Sequence, residues 1–166
     1  MGWPLTRIRP HGRGYLLTIP AEELAVLRTL PTQMRELLNT DDPALERLFP
    51  PAYVGDPELE SEYRDLMRDD LMAKRTSSID VMEATLDRKQ LTEEELTGWM
   101  GALNDLRLVL GTRLDVSEND HDMLPEDDPR GPGMALYHYL TMLQSEAIEA
   151  LSVGLPDDGI DDTIKR

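Results

Sequence analysis

Thr92 and Glu95 stand three residues apart, the spacing at which each side chain accepts a hydrogen bond from the other residue's backbone N–H and closes a helix N-terminus. From this start Leu96, Trp99, Leu103, Leu106, Leu110 and Leu114 recur at three- and four-residue intervals, the period of one buried helix face. The pattern predicts a central helix over 92–114 against which the remaining elements must pack. Only 5% of the residues are aromatic, so Leu, Val, Ile and Met have to build the core, which favours packed helices over a β-sandwich. A length of 166 residues suits one domain of ordinary size. The expected fold is mainly α: a compact helical bundle with a short N-terminal β-hairpin, forming a single domain over residues 1–156.

The hairpin is read from strands at Leu5–Arg9 and Tyr15–Ile19, joined through His11-Gly12-Arg13-Gly14, within residues 1–20. Pro20, Glu22 and Glu23 suit a helix start, and Leu24, Leu27, Met34 and Leu37 continue an apolar stripe that Pro31 should kink or split. Asp42-Pro43 opens a short helix to about Leu48. Asp56-Pro57 opens another, with Leu59, Tyr63, Leu66 and Leu71 at helical spacing. A break is expected at 76–78, followed by a short helix carrying Ile79, Met82 and Leu86 with Ser77 as its cap. The last helix should start near Gly133, bury Leu136, Leu140, Leu143, Ala147 and Leu151, and end at Gly154 and Pro156.

Residues 115–133 are rich in acids and contain Pro125, Pro129 and Pro132, so they read as an acidic loop. Asp115, Ser117, Asn119 and Glu126 fall at four positions of a calcium-binding loop. The frame fails where Asp120 replaces the glycine of the sharp turn and where Pro125 precedes the would-be bidentate glutamate. Residues 157–166 read as a disordered acidic tail.

A formal net charge of −16 opposes approach to duplex DNA or to an anionic membrane surface. Residues 1–20 depart from this balance, carrying Arg7, Arg9 and Arg13 and no acid. The absence of cysteine excludes disulfides, thiolate metal sites and thiol redox chemistry. No apolar run approaches a membrane span and no leader pattern is evident, which makes a cytoplasmic protein the default expectation.

Catalytic patterns are missing as well. His11, His121 and His138 lack ligand spacing, and no HExxH, nucleophile elbow, P-loop or dinucleotide fingerprint occurs. The expectation is therefore a protein that is not an enzyme, with no catalytic or metal-binding residues and no cofactor. Basic side chains supply the candidate partner-binding positions. Arg7 and Arg9 alternate so as to share one strand face, and Arg13 sits in the turn. Two strands alone are marginal, so the hairpin must pack on helices or be completed through edge pairing with another chain. Arg107 and Arg113 flank Gly111, which suits close helix approach, and Arg113 could hold Asp115 or another loop acid.

The segment Leu106–Asp120, LRLVLGTRLDVSEND, together with YHYLTMLQSEAIEAL, DPELESEYRDLMRDDL, the proline-interrupted first helix and the basic hairpin, covers most of the chain. In these motifs it resembles the actinobacterial family of small helical proteins named for the oxidative-stress transcriptional regulator AosR. The resemblance implies a helical, non-enzymatic regulator or adaptor acting in transcriptional control through contacts with the transcription machinery, RNA polymerase or a sigma factor among them. It brings no catalytic residues. Thiol sensing, attributed to the family's namesake, does not carry over to a chain without cysteine. A direct DNA-binding repressor is the second reading, with Arg64, Arg68, Lys74 and Arg75 placed around a helix-turn-helix; Asp65, Asp69 and Asp70 interleave and weaken it. A small enzyme or divalent-metal protein is the third. A homodimer is compatible with all three.

Overall fold

The computed structural model of the chain describes residues 6–50, 52–116 and 127–154. In chain order they form β1 (Ile8–His11), β2 (Gly14–Leu17), α1 (Ala21–Leu38), a 3-10 helix (Pro43–Leu48), α2 (Pro57–Thr85), β3 (Gln90–Leu91), α3 (Glu93–Arg113) and α4 (Gly131–Gly154). The expected mainly helical architecture with an N-terminal hairpin is what forms. Its axis is α3, packed against α2, α4 and the 3-10 helix.

The capping box of α3 is complete, with the Glu95 N–H donating to Thr92 Oγ1 and the Thr92 N–H donating to Glu95 Oε1, both at 3.1 Å. Leu96, Trp99 and Leu103 are fully buried, whereas Leu106, Leu110 and Leu114 are half-buried as the helix leaves the core. Its end is a Schellman arrangement: the Val116 N–H donates to the Gly111 carbonyl at 2.9 Å and the Asp115 N–H to that of Thr112 at 3.2 Å. Asp115 holds the left-handed φ of 53° that glycine usually supplies, so this residue terminates a helix. The other calcium-frame positions, Ser117, Asn119 and Glu126, lie outside the described residues, as do 117–126 of the acidic loop and the whole of 157–166.

Three local expectations fail for identifiable reasons. Of the kink or split expected at Pro31, the split does not occur, since α1 runs unbroken from Ala21 to Leu38. Pro31 is buried along with Leu27, Leu30, Met34 and Leu38 of the same helix, and burial of this face works against the ~3 kcal/mol that proline costs inside a helix. Nor does the chain break at 76–78, because α2 is one helix of 29 residues. The small side chains there serve packing: a Cβ on Gly101 would lie 2.9 Å from Ser78 Oγ, and one on Gly98 would lie 2.8 Å from Val81 Cγ1. The expected break is instead near where α3 presents glycines to α2, so that the two helices approach closely.

The third miss is in the sheet. Its strand order is β1-β2-β3, all antiparallel, and the two residues of β3 were too few to show a period. β1 starts and ends later than the expected Leu5–Arg9, with Leu5 outside the described residues, and β2 starts one residue before and ends two before the expected Tyr15–Ile19. His11 pairs with Gly14, leaving a two-residue turn in which Gly12 takes φ +60° and Arg13 does not, the pattern of a type II′ hairpin. Ile8, Tyr15 and Leu17 point into the core, and β1 packs on α4. The hairpin is thus completed within the chain by β3 and α4. Pro10, which has no N–H to donate, blunts the outer edge of β1.

Candidate functional site

The five arginines do not converge. Arg7, just ahead of β1, is half-buried and gives a two-pronged ion pair to Glu23 of α1, Nε to Oε2 and Nη2 to Oε1, each at 2.5 Å. Its backbone N–H donates to Glu146 Oε1 at 3.1 Å, its guanidinium lies 5.9 Å from the Tyr139 ring centre, and the Tyr139 hydroxyl donates to Glu23 Oε2 at 2.8 Å. Arg7 therefore joins the hairpin to α1 and α4. Its hydrogen bonds hold the Glu23 carboxyl below the usual range, while burial pushes the Glu146 carboxyl up. Arg9 and Arg13 are exposed on the hairpin, whereas Arg7 is half-buried.

Arg107 fastens α3 to α4 through neutral groups. Nε donates to Thr141 Oγ1 at 2.9 Å, Nη1 to Gln144 Oε1, and the guanidinium stacks over Tyr137 at 5.4 Å. Gly111 permits this approach, since a Cβ there would lie 3.2 Å from the Tyr137 ring. Arg113 reaches Asp42 at 3.4 Å, not Asp115, because the carboxylate capping the 3-10 helix lies across its path. Two of the five positions, Arg9 and Arg13, remain available on the surface among the described residues.

These geometries separate structural from surface arginines in a way that stability can read. Arg7→Ala is expected to cost about 1–3 kcal/mol through loss of charged hydrogen bonds in a half-buried site. The Arg9→Glu/Arg13→Glu double variant should stay within about 0.5 kcal/mol of the parent. Urea unfolding of both checks the assignment, and equal losses would overturn it.

The helix-turn-helix placement loses its turn. Arg64, Arg68, Lys74 and Arg75 lie on the uninterrupted α2, and Arg75 turns inward, with Nη1 donating to Asp105 Oδ1 at 2.7 Å and Nη2 to the Leu48 carbonyl at 3.3 Å. Among the described residues no three His, Cys, Asp or Glu side chains are grouped to hold a metal ion, and no helix is long and apolar enough to cross a membrane.

One concave feature of the fold was not legible in the helical spacing. The N-terminal half of α2 runs past the core, and between it and the 3-10 helix lies a groove of about 560 Å³. Leu38, Leu45 and Phe49 form one wall, and Tyr63, Met67 and Leu71 of α2 form the other. Leu59 and Leu66, placed at helical spacing by the sequence, are 44% and 77% exposed on α2. The walls are held in place. Asp42 Oδ1 caps the 3-10 helix at the Ala44 N–H, and Glu60 Oε2 accepts from the N–H groups of Ala52 and Tyr53 at the entry to α2. Tyr53 then packs edge-on against Tyr63 at 5.7 Å. Around the rim Arg68 pairs with Asp41 at 3.7 Å and Arg64 with Glu60 at 3.3 Å.

The chain is 28% identical over 149 residues to the putative oxidative stress regulator AosR of Mycobacterium leprae (strain TN), covering 80% of this chain and 68% of that protein. It is equally similar, at 28% over 149 residues, to the oxidative stress regulator AosR of Mycobacterium tuberculosis (strain ATCC 25618 / H37Rv), covering 67% of its length. No solved structure matches. A family model described as a domain of unknown function, DUF2017, matches residues 5–151, and the chain belongs to that family.

Proposed function

We propose that the protein is a non-enzymatic regulator in transcriptional control of the oxidative-stress response, working through protein contacts with the transcription machinery. The observation that carries this reading is its similarity, over 80% of its length, to proteins named oxidative stress regulators. Two features support contact with protein as the mode of action. One is the apolar groove beside α2; the other is the charge of −16, which opposes a phosphate backbone and suits a polypeptide surface. RNA polymerase and its sigma factors are the partners to test first. Cytoplasmic action follows from that reading. The absence of cysteine means that the chain responds to oxidation through its partner or through another residue type.

The test is a deletion in the native host, with transcripts compared before and after peroxide, alongside crosslinking of the tagged chain with polymerase subunits and sigma factors probed directly. A changed peroxide response together with a crosslinked transcription protein is expected. An unchanged response removes the regulatory reading, and nanomolar binding of the isolated protein to one duplex over unrelated DNA at physiological salt would replace it with a direct repressor.

A further inference from the structure

The groove beside α2 is the continuation of the core. In the C-terminal half of α2, Ile79, Met82 and Thr85 are buried; one face of the same helix, extended toward its start, presents Met67, Leu71 and Tyr63 to the groove. The helix keeps its apolar face beyond the last element that covers it, and the 3-10 helix supplies a second wall. Such a channel accepts a helix whose apolar side chains project at i, i+3, i+4 and i+7.

Charge decides what that helix carries on its flanks. The rim arginines are already engaged, Arg64 with Glu60 and Arg68 with Asp41, and Asp42 is engaged with Arg113. Of the exposed acids on these two elements that make no ion pair among the described residues, Glu46 lines the groove, while Glu58, Glu62, Asp65, Asp69 and Asp70 stand at other positions on α2; the exposed cations there without an ion pair are Arg47 and Lys74, so acids outnumber them. The uncompensated charge around the groove is therefore negative. A second copy of this acidic surface would be repelled, whereas lysines or arginines flanking an apolar stripe would be attracted and oriented.

We infer that the groove formed by Leu45, Phe49, Tyr63, Met67 and Leu71 is the docking site for an amphipathic helix of a partner protein, with an apolar stripe bordered by basic residues. This deepens the regulatory reading and rests on its premise that the chain works by protein contact.

The probe is a synthetic peptide of about 18 residues with leucines at helical spacing and lysines on both flanks. Controls are the same stripe flanked by glutamates and the lysine peptide with its leucines scrambled. At physiological salt the lysine-flanked stripe should bind. Both controls should bind at least about tenfold more weakly, as should the Met67→Glu protein, whose circular dichroism should be unchanged. Amide shifts induced in the unaltered protein should cluster on the 3-10 helix and the first half of α2, a readout independent of any variant. Equal binding of either control, shifts scattered over the acidic surface, or a folded Met67→Glu chain that binds normally would each overturn the proposal. So would a sedimenting dimer that Met67→Glu dissociates, because the occupant would then be a second copy. If Met67→Glu still crosslinks to the transcription machinery in cells, the groove assignment fails and the regulatory reading survives; an unchanged peroxide response in the deletion strain does the reverse.

Discussion

Trp99→Ala is expected to cost about 3–5 kcal/mol, a large share of the ~5–15 kcal/mol that holds a domain of this size together. Trp99 is fully buried on α3, and its indole N–H donates to Thr85 Oγ1 of α2 at 2.6 Å. The Thr85 hydroxyl in turn donates to the Val81 carbonyl at 2.7 Å, so the buried indole nitrogen is tied into the neighbouring helix's backbone. Truncation leaves a cavity and also strips Thr85 of its donor. Thr85→Val separates the two effects, because it keeps the ring and orphans the indole N–H at an expected cost of about 1–3 kcal/mol. Leu103→Ala, at a fully buried position, should cost about 2–5 kcal/mol, and Leu106→Ala, half-buried, should cost less. Urea unfolding of the four variants gives the order directly. A Trp99→Ala loss below about 1 kcal/mol would mean that α3 is not the axis of the core.

How much of this was legible in the chain depended on how local the physics was. The Thr92–Glu95 box could be read because both partners lie within one helical turn and satisfy each other. The Asp42 and Asp56 caps share that property. The residues at 76–78 misled because their local preference was overruled by a packing partner distant in sequence, Gly101 opposite Ser78, and Pro31 is carried inside α1 on its buried face. β3 was invisible because two residues carry no periodicity, and its pairing with β2 is a long-range event.

The site was less legible for the same reason. Leu59, Tyr63, Leu66 and Leu71 recur just as core residues do, and nothing in a helical period says whether another element lies opposite. Only the fold shows α2 outrunning its neighbours. Arg7, Arg9 and Arg13 likewise look alike in a basic segment. Glu23, Tyr139 and Glu146 pick out Arg7 from distances of 16 to 139 residues along the chain. Resemblance reached the family where patterns of charge and spacing could not reach a partner.

Asp105→Asn should make the protein more stable than the parent by about 2–3 kcal/mol at pH 7.5 and leave the two nearly equal at pH 4. Asp105 is almost completely buried on α3 and its Oδ1 accepts from Arg75 Nη1, while its Oδ2 and the Arg75 Nε have no partner among the described residues. Burial pushes its carboxyl up to about 6, and the nearby Arg75 charge offsets only part of that. The sign follows from proton counting. Unfolded, the carboxyl loses its proton near pH ~3.9; folded, it keeps the proton until about pH 6, so between these values the folded state binds more protons and stability falls as pH rises. Above pH ~6 the penalty is constant, at ~1.4 kcal/mol for each of roughly two units of displacement. Asparagine fixes the neutral form and retains a carbonyl oxygen for Arg75. Glu23 has the opposite dependence, since its Arg7 bond depresses the carboxyl and the stability it gives is lost as pH falls, but this is common to both proteins and cancels in their difference. Unfolding free energies at half-unit steps from pH 4 to 7.5 should therefore diverge up to about pH 6 and then run parallel. A flat difference would show that Asp105 ionises normally, and a variant less stable at pH 7.5 would show that attraction to Arg75 outweighs the loss of hydration.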